Sequence, residues 1–247
     1  MIKFNVNPKY KEEFTTFLKN IKEHFSNNSN SIHKARNEIK VLTHAHQEVV
    51  VKSFKIPHLL NRVVYSFFRE SKAKKSYDYS MKIIDFVPKP IGYIEFHEGG
   101  LLEKSYFISE HFNYDFTIRE PLLDANFENR EEVFRAYARF TLDLHNNNIF
   151  HKDYSPGNIL IKKIKNEFIF KIVDINRMGF FELTETDRAK NFSKLWASDE
   201  VLELVANEYK KHYKCSETFT QNMLDFNNKN KRTKNFKKRL KGEKVVD

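Results

Sequence analysis

His151-Lys152-Asp153-Tyr154-Ser155-Pro156-Gly157-Asn158 is the stretch on which the reading of this chain turns. The apolar run Ile159-Leu160-Ile161 follows it at once. A second run, Phe168-Ile169-Phe170-Lys171-Ile172-Val173, ends in Asp174. The order is H-x-D-x-x-x-x-N, strand, turn, strand, Asp. Pro156-Gly157 lets the loop turn back, so that Asn158 faces the same cleft as Asp153. A polar turn ahead of a buried hairpin accounts for His-x-Asp alone. It does not account for Asn158, two flanking apolar runs and Asp174 all in register.

These residue types at these spacings suit phosphoryl transfer from ATP. That chemistry needs positioned metal ions, an oriented acceptor hydroxyl and neutralised phosphate charge, and little covalent help. Asp153 is the candidate catalytic residue, accepting or orienting the proton of the acceptor hydroxyl. Asn158 offers Mg²⁺ a neutral oxygen and Asp174 an anionic one. Magnesium takes a few hard oxygen ligands and keeps waters and substrate phosphates for the rest. The arrangement matches the catalytic loop and metal-binding Asp of the protein-kinase fold. His151 is expected to be structural, hydrogen-bonding the loop backbone.

Upstream, Ile39–Thr43 and Glu48–Phe54 read as consecutive strands joined by a turn at His44–Gln47. Val50-Val51-Lys52 resembles the strand that carries the ATP-binding lysine of kinases, which makes Lys52 the candidate phosphate contact and Lys55 its competitor. All six glycines lie at position 92 or later, so no Gly-rich phosphate loop precedes Lys52. The basic stretch His33-Lys34-Ala35-Arg36-Asn37 is a candidate for contacting phosphate with side chains, and equally a solvated turn. Leu59–Ile84 is rich in helix formers, and it offers Glu70 or Asp78 as the carboxylate partner of Lys52 without deciding between them.

Four segments are expected. Residues 1–31 form an N-terminal extension, with a short helix over Lys9–Phe25 that puts Phe14, Phe17, Leu18 and Ile21 on one face. Residues 32–110 form a β-rich lobe, with Gly99-Gly100 as a hairpin turn. Residues 111–226 form a mostly helical lobe, with helices from Asn129 to Leu144 and from Thr186 to Tyr209. Residues 227–247 form a basic tail or frayed helix. The fold class is α+β, a bilobal kinase-like architecture holding ATP between its lobes. Asp174 is followed by Ile175-Asn176 where protein kinases have Phe-Gly, and no Ala-Pro-Glu follows. A protein-substrate platform is therefore not indicated. Asn176 and Arg177 lie close enough in sequence to Asp174 to meet an anionic acceptor, or simply to pack on the loop.

A chain of 247 residues can bury a sizeable core, and 40% hydrophobic with 31% charged residues is ordinary for a globular protein. The single Cys215 excludes an intrachain disulfide and fits a reducing cytosol. No stretch approaches the roughly 20 apolar residues of a membrane span, and the N-terminus lacks the apolar core of a signal peptide. The net charge of +10 favours anionic partners. Between Asn227 and Lys244, nine Lys and Arg stand against Glu243 alone. Anionic lipid headgroups would attract such a segment, at about 1 kcal/mol per basic residue near the surface. Nucleic acid is the less favoured partner.

Val50-Val51-Lys52, Leu144-His145, His151 to Leu160 and Val173-Asp174 together resemble the lipopolysaccharide kinase family, the Kdo and heptose kinases of Gram-negative bacteria. The resemblance runs over roughly residues 32–205, and Asp115-Phe116-Thr117-Ile118-Arg119-Glu120 adds to it. It implies ATP- and Mg²⁺-dependent phosphorylation of a sugar hydroxyl on a lipid-linked anionic acceptor, the lipopolysaccharide inner core. It further implies work at the cytoplasmic face of the inner membrane, with the basic tail as a peripheral contact. The rivals are a phosphotransferase acting on another small molecule or on protein Ser/Thr, a nucleotide-binding pseudokinase adaptor, and a nucleic-acid-binding module. The acceptor sugar and the oligomeric state are not legible in the sequence.

Overall fold

The computed structural model describes residues 1–29, 31–34, 37–54 and 69–242. Ala35, Arg36, Lys55, the first part of the segment from Leu59, and the residues from Glu243 onward lie outside them. The chain divides into two compact units, Met1–Asn113 with Asp174–Asn176, and Tyr114–Val173 with Arg177–Asp247. Among the described residues no helix is long and apolar enough to cross a membrane.

The first unit is built on a six-stranded sheet in the order β1-β5-β6-β4-β3-β2. The strands are β1 Ile2–Val6, β2 Ser31–Lys34, β3 Asn37–His44, β4 Gln47–Phe54, β5 Pro90–Glu98 and β6 Leu101–Glu110. Every pairing is antiparallel. The two strands expected around Lys52 are β3 and β4. Their turn tightens to Ala45-His46, with φ of 48° and 61°, the left-handed geometry whose twist matches the flanking strands. Gly99-Gly100, with φ of 55° and 79°, turns β5 into β6 as expected. Strand β1 was not expected: Ile2, Phe4 and Val6 pair with Phe96, Ile94 and Gly92 of β5.

The expected Lys9–Phe25 helix is two helices, α1 Lys11–Lys19 and α2 Ile21–Asn27, separated at Asn20. Phe14, Phe17, Leu18 and Ile21 are buried on one face of the sheet with Val49, Val51, Ile94 and Ile108. On the other face α3, Lys72–Lys82, packs Ala73 and Tyr77 against Phe54, Tyr93 and Phe107. Side chains alternate along a strand, so β4 sends Val49 and Val51 toward α1 and α2 and sends Lys52, with Phe54, to the opposite face. Each fully buried Phe contributes about 1.5–3 kcal/mol over an exposed one. The short helices therefore depend on this packing more than on their own propensity.

The second unit carries α4 Arg119–Leu123, α5 Arg130–Asn146, α6 Glu185–Asn191, α7 Asp199–His212 and α8 Phe219–Leu240. Strands β7 Phe116–Thr117, β9 Ile159–Ile164 and β10 Glu167–Ile172 form a three-stranded sheet, and β8 Ile149–His151 pairs with β11 Met178–Phe180. Helix α5 buries Val133, Phe134, Tyr137, Thr141 and Leu144, the face its periodicity predicts. The helix expected from Thr186 to Tyr209 is broken. A 3-10 turn at Phe192–Lys194 intervenes, and Trp196 takes a left-handed φ of 59°. Helix α7 restarts behind Ser198, whose hydroxyl accepts from the Val201 amide. The basic segment after Asn227 is the latter part of α8, docked on the broken turn rather than trailing as a tail. Asn227 donates to the Ala197 carbonyl at 3.1 Å and Asn230 to that of Ser193 at 2.7 Å.

A buried chain of hydrogen bonds runs through this unit to the His151 loop. Arg188 donates to the Tyr209 hydroxyl at 2.9 Å, and that hydroxyl donates to His145 Nδ1 at 2.9 Å. His145 Nε2 donates to Asn191 Oδ1 at 3.1 Å, and Asn191 Nδ2 donates to the His151 carbonyl at 2.9 Å. A charged imidazole does not fit: it would carry a second proton with no acceptor for it, beside the Arg188 guanidinium. Burial, with Arg188 adding to it, pushes the His145 pKa down to about 3.

Two predictions follow from this packing. A Cβ on Gly92 would meet the Asn5 carbonyl oxygen at 2.7 Å and Leu18 Cδ2 at 2.8 Å. Gly92→Ala should therefore push β1 and α1 off β5 and cost about 1–3 kcal/mol, seen as a lower urea midpoint. An unchanged midpoint would mean the edge strand shifts freely. For His145 the folded pKa lies below the unfolded one, so the unfolded chain takes up a proton that the folded chain refuses. Stability is intact above about pH 6.5 and falls as the pH drops toward 3, by at most about 1.4 kcal/mol per pH unit. Urea midpoints from pH 7.5 to 4 should fall more steeply for the wild type than for His145→Gln. Equal slopes would refute a neutral buried His145.

Candidate active site

In the first unit, Lys52 and Asp174 meet although 122 residues separate them in the chain. Lys52 Nζ lies 2.5 Å from Asp174 Oδ1, and Asn176 Nδ2 donates to the same oxygen at 2.6 Å. The Lys52 side chain is 13% exposed and that of Asp174 33%. The ammonium also lies over the Phe54 ring, 5.4 Å from its centroid. Asp174 holds a left-handed φ of 58°, a conformation that costs a non-glycine residue about 1–3 kcal/mol and gathers at functional sites. The carboxylate partner that the sequence left open is thus Asp174 itself. Glu70 and Asp78 are engaged elsewhere: both grip Lys74, at 2.5 and 2.7 Å. That pairing raises the Lys74 pKa, the Asp78 hydrogen bond first among the causes.

In the second unit the loop between β8 and β9 is held from all sides by backbone hydrogen bonds. His151 Nδ1 accepts from the Asp153 amide at 3.1 Å, and its Nε2 donates to the Val173 carbonyl at 3.1 Å. The neutral imidazole thereby fixes the loop, the structural part the sequence assigned to it. Tyr154 is fully buried, stacked on His151 and Tyr137 with its hydroxyl on Thr141 Oγ1 at 2.9 Å. Lys152 donates its amide to the Arg177 carbonyl at 3.1 Å.

Pro156–Asn158 forms one 3-10 turn. It brings Asn158 back on Asp153, whose carbonyl accepts from Asn158 Nδ2 at 2.9 Å. The Asn158 amide is thus oriented with Nδ2 spent on the loop and Oδ1 left as the oxygen for a cation. The Asn158 carbonyl accepts from the Val173 amide at 2.9 Å, one residue before Asp174. Among the described residues the Asp153 carboxylate accepts no hydrogen bond, so it is available to a hydroxyl.

Asn158 and Asp174 each offer a hard oxygen, the donor type that suits Mg²⁺ rather than a softer metal. Among the described residues no group of three or more His, Cys, Asp or Glu could hold a metal by itself. Cys215 is no rival nucleophile, since burial, aided by Glu185, pushes its thiol up to about 11.

Two features escaped the sequence reading. The Arg119 guanidinium lies against Gly157, where a Cβ would come within 2.7 Å of Nη2. A Cβ there would displace only the flexible end of the Arg119 side chain. Lys234 of α8 is close enough to Asp153 for the carboxylate to raise its pKa, although burial first, and then Lys194 and Lys238, hold it below the usual lysine range. A gap of 81 residues between Asp153 and Lys234 left no sequence signal for this approach.

No protein-family model matches this chain, and no curated protein matches it in sequence. Solved structures do match its fold. The structure described as WaaP in complex with acyl carrier protein aligns over 93% of this chain and 98% of its own, with a TM-score of 0.59 and 10% identity. The Rio2 kinase–ADP/Mg²⁺–phosphoaspartate complex from Chaetomium thermophilum covers 86% of this chain and 67% of its own, with a TM-score of 0.49 and 12% identity. At such identities the likeness is one of fold. The chain has an α+β, protein-kinase-like fold, as WaaP does.

Proposed function

We propose that the chain is an ATP- and Mg²⁺-dependent phosphotransferase that phosphorylates a sugar hydroxyl, of Kdo or heptose, in the lipopolysaccharide inner core at the cytoplasmic face of the inner membrane. The observation that carries the phosphotransferase reading is the Lys52–Asp174 ion pair. It joins Lys52, the lysine proposed to meet nucleotide phosphates, to Asp174, the carboxylate proposed to meet their metal. The sugar acceptor rests on the resemblance of the motifs from Lys52 to Asp174 to the lipopolysaccharide kinases, and on the kinase-like fold.

Each residue then has one task. Asp153 orients the acceptor hydroxyl and takes its proton as the oxygen attacks. Lys52 leaves Asp174 for the phosphates of the nucleotide and neutralises them, so its ammonium exchanges one anion for another without losing a partner. Asn158 and Asp174 would hold the metal. Magnesium, when bound, screens the phosphate charge that would otherwise repel the incoming oxygen. His151 holds Asp153 in place through the hydrogen bonds that both of its nitrogens make to backbone.

The test is phosphate transfer from ATP with Mg²⁺ to a Kdo-bearing lipid A precursor. Asp153→Asn should lower turnover by about 10²–10⁴-fold while nucleotide binding persists. Normal turnover in that variant would refute the catalytic role. Asp174→Ala should weaken ATP binding in Mg²⁺ and leave the weaker metal-free binding alone. Unchanged binding in Mg²⁺ would remove Asp174 from the metal. ATP binding without transfer to the lipid would move the acceptor to another hydroxyl, and absence of ATP binding would overturn the reading.

A further inference from the structure

The broken turn between α6 and α7 and the basic face of α8 build a second feature of the Asp153 region. Trp196 sits at the break with a left-handed φ of 59°, a conformation a bulky side chain rarely holds. Two ammonium groups lie over its ring, Lys234 at 4.6 Å and Lys238 at 5.6 Å from the centroid. Lys194, two residues before Trp196, donates to Asn230 Oδ1 at 3.3 Å, one helical turn before Lys234. The Asn227 and Asn230 bonds to the Ala197 and Ser193 carbonyls pin α8 to the turn on both sides of Trp196. The geometry is therefore built by directional bonds and is not a loose charged surface.

Three lysines gathered in this way repel one another. Lys234 is half-buried, and its proton affinity is lowered by burial first and then by Lys194 and Lys238. Asp153 is the acid that acts on it in the opposite sense. A cluster of cations held together against repulsion is short of negative charge. An anion would supply it.

We propose that Lys194, Lys234 and Lys238, arranged around Trp196, form a subsite for an anionic group, a phosphate or a carboxylate, carried by the acceptor of the phosphotransferase reading. The inference rests on the phosphotransferase reading for the word acceptor, and on the lysine cluster alone for the anion. The chemical class it selects is a polyhydroxylated molecule with a fixed negative charge near the reacting hydroxyl. Neutral sugars would lack the grip. The remaining lysines and arginines of α8 are free to serve solubility.

Trp196 is the only tryptophan in the chain, so its fluorescence reports on the cluster without any turnover. Inorganic phosphate and citrate, titrated separately at constant ionic strength, should each change the Trp196 emission saturably if the site reads charge. A response to one alone would assign the group as phosphate or carboxylate. Lys234→Met, which keeps the alkyl stem over the ring, should weaken the apparent affinity by about tenfold, the equivalent of about 1.4 kcal/mol. Lys234→Arg should restore most of it. No saturable response to either anion, or the same affinity in Lys234→Met, would overturn the proposal. So would a response to anionic phosphatidylglycerol vesicles with none to the soluble anions, because the surface would then be a membrane contact.

In turnover with an acidic acceptor, Lys234→Met should raise the acceptor KM about tenfold and leave the ATP KM unchanged. An equal rise in both would assign the cluster to nucleotide. If no acceptor is phosphorylated by the wild type, the phosphotransferase reading fails while the fluorescence result still decides the anion site.

Discussion

The Lys52–Asp174 ion pair is the interaction that gives the rest of the structure its meaning. Taking two charges out of water costs more than a surface ion pair returns, and well-packed apolar residues would serve stability as well. Here the pair is mostly withdrawn from solvent, and Asp174 holds a left-handed backbone to make it. Strain and desolvation at one residue contribute nothing to the sheet that carries Lys52. They are explained if the pair is a resting arrangement, two groups keeping each other satisfied until each meets the charge it is there for. The sheet then serves to present Lys52. Strand alternation in β4 puts Val49 and Val51 into the core under α1 and α2, and leaves Lys52 on the other face, beside Phe54.

The second unit solves a different problem, holding a polar loop still. Backbone groups in a loop need partners as much as those in a sheet, and the Asp153 carboxylate, proposed to act on a hydroxyl, must remain unspent. The structure meets both demands by using side chains that are not themselves reactive. His151 takes the Asp153 amide and the Val173 carbonyl, Asn158 takes the Asp153 carbonyl, and Asn191 takes the His151 carbonyl. Behind them stand His145, Tyr209 and Arg188, buried in the helical core. Every link donates in one direction, from the Arg188 guanidinium to the loop. A proton added at His145 would therefore reverse one bond and leave another without an acceptor. The loop is stabilised by a network whose integrity depends on a neutral imidazole buried in the helical core.

Much of this was legible in the sequence, and the reasons are local. The strands around Lys52, the Gly99-Gly100 turn and the face of α5 follow from short-range periodicity and turn chemistry, which act within a few residues. The Asp153 loop was readable because its residues sit in one continuous segment. The failures are also physical. Strand β1 does alternate, Ile2, Phe4, Val6, but it is an edge strand with most of its side chains exposed, so its polar neighbours masked the pattern. The Thr186–Tyr209 segment has helical periodicity throughout. What breaks it is the conformation of Trp196, for which no Gly or Pro gave a sign. The partner of Lys52 was sought on a helix and found on a loop, because pairing over 122 residues is a property of the folded chain alone.

The basic C-terminal segment shows most clearly what hydrophobic pattern leaves out. Its few apolar residues suggested a frayed helix or a tail, since a helix usually docks by an apolar stripe. Helix α8 does use such a stripe at its start, where Phe219 and Met223 are fully buried. Beyond them it docks by amide side chains, Asn227 and Asn230, each donating to a backbone carbonyl of the broken turn. That turn has carbonyls to offer because the helix there is interrupted, and the amides satisfy groups that would otherwise be left without partners. The break at Trp196 and the polar docking of α8 are thus one device. A continuous helix from Thr186 to Tyr209 would have consumed those carbonyls internally, and α8 would have had nothing to hold. The positions of Lys194, Lys234 and Lys238 follow from that arrangement, which is why their charge gathers around Trp196 instead of spreading along a solvated tail.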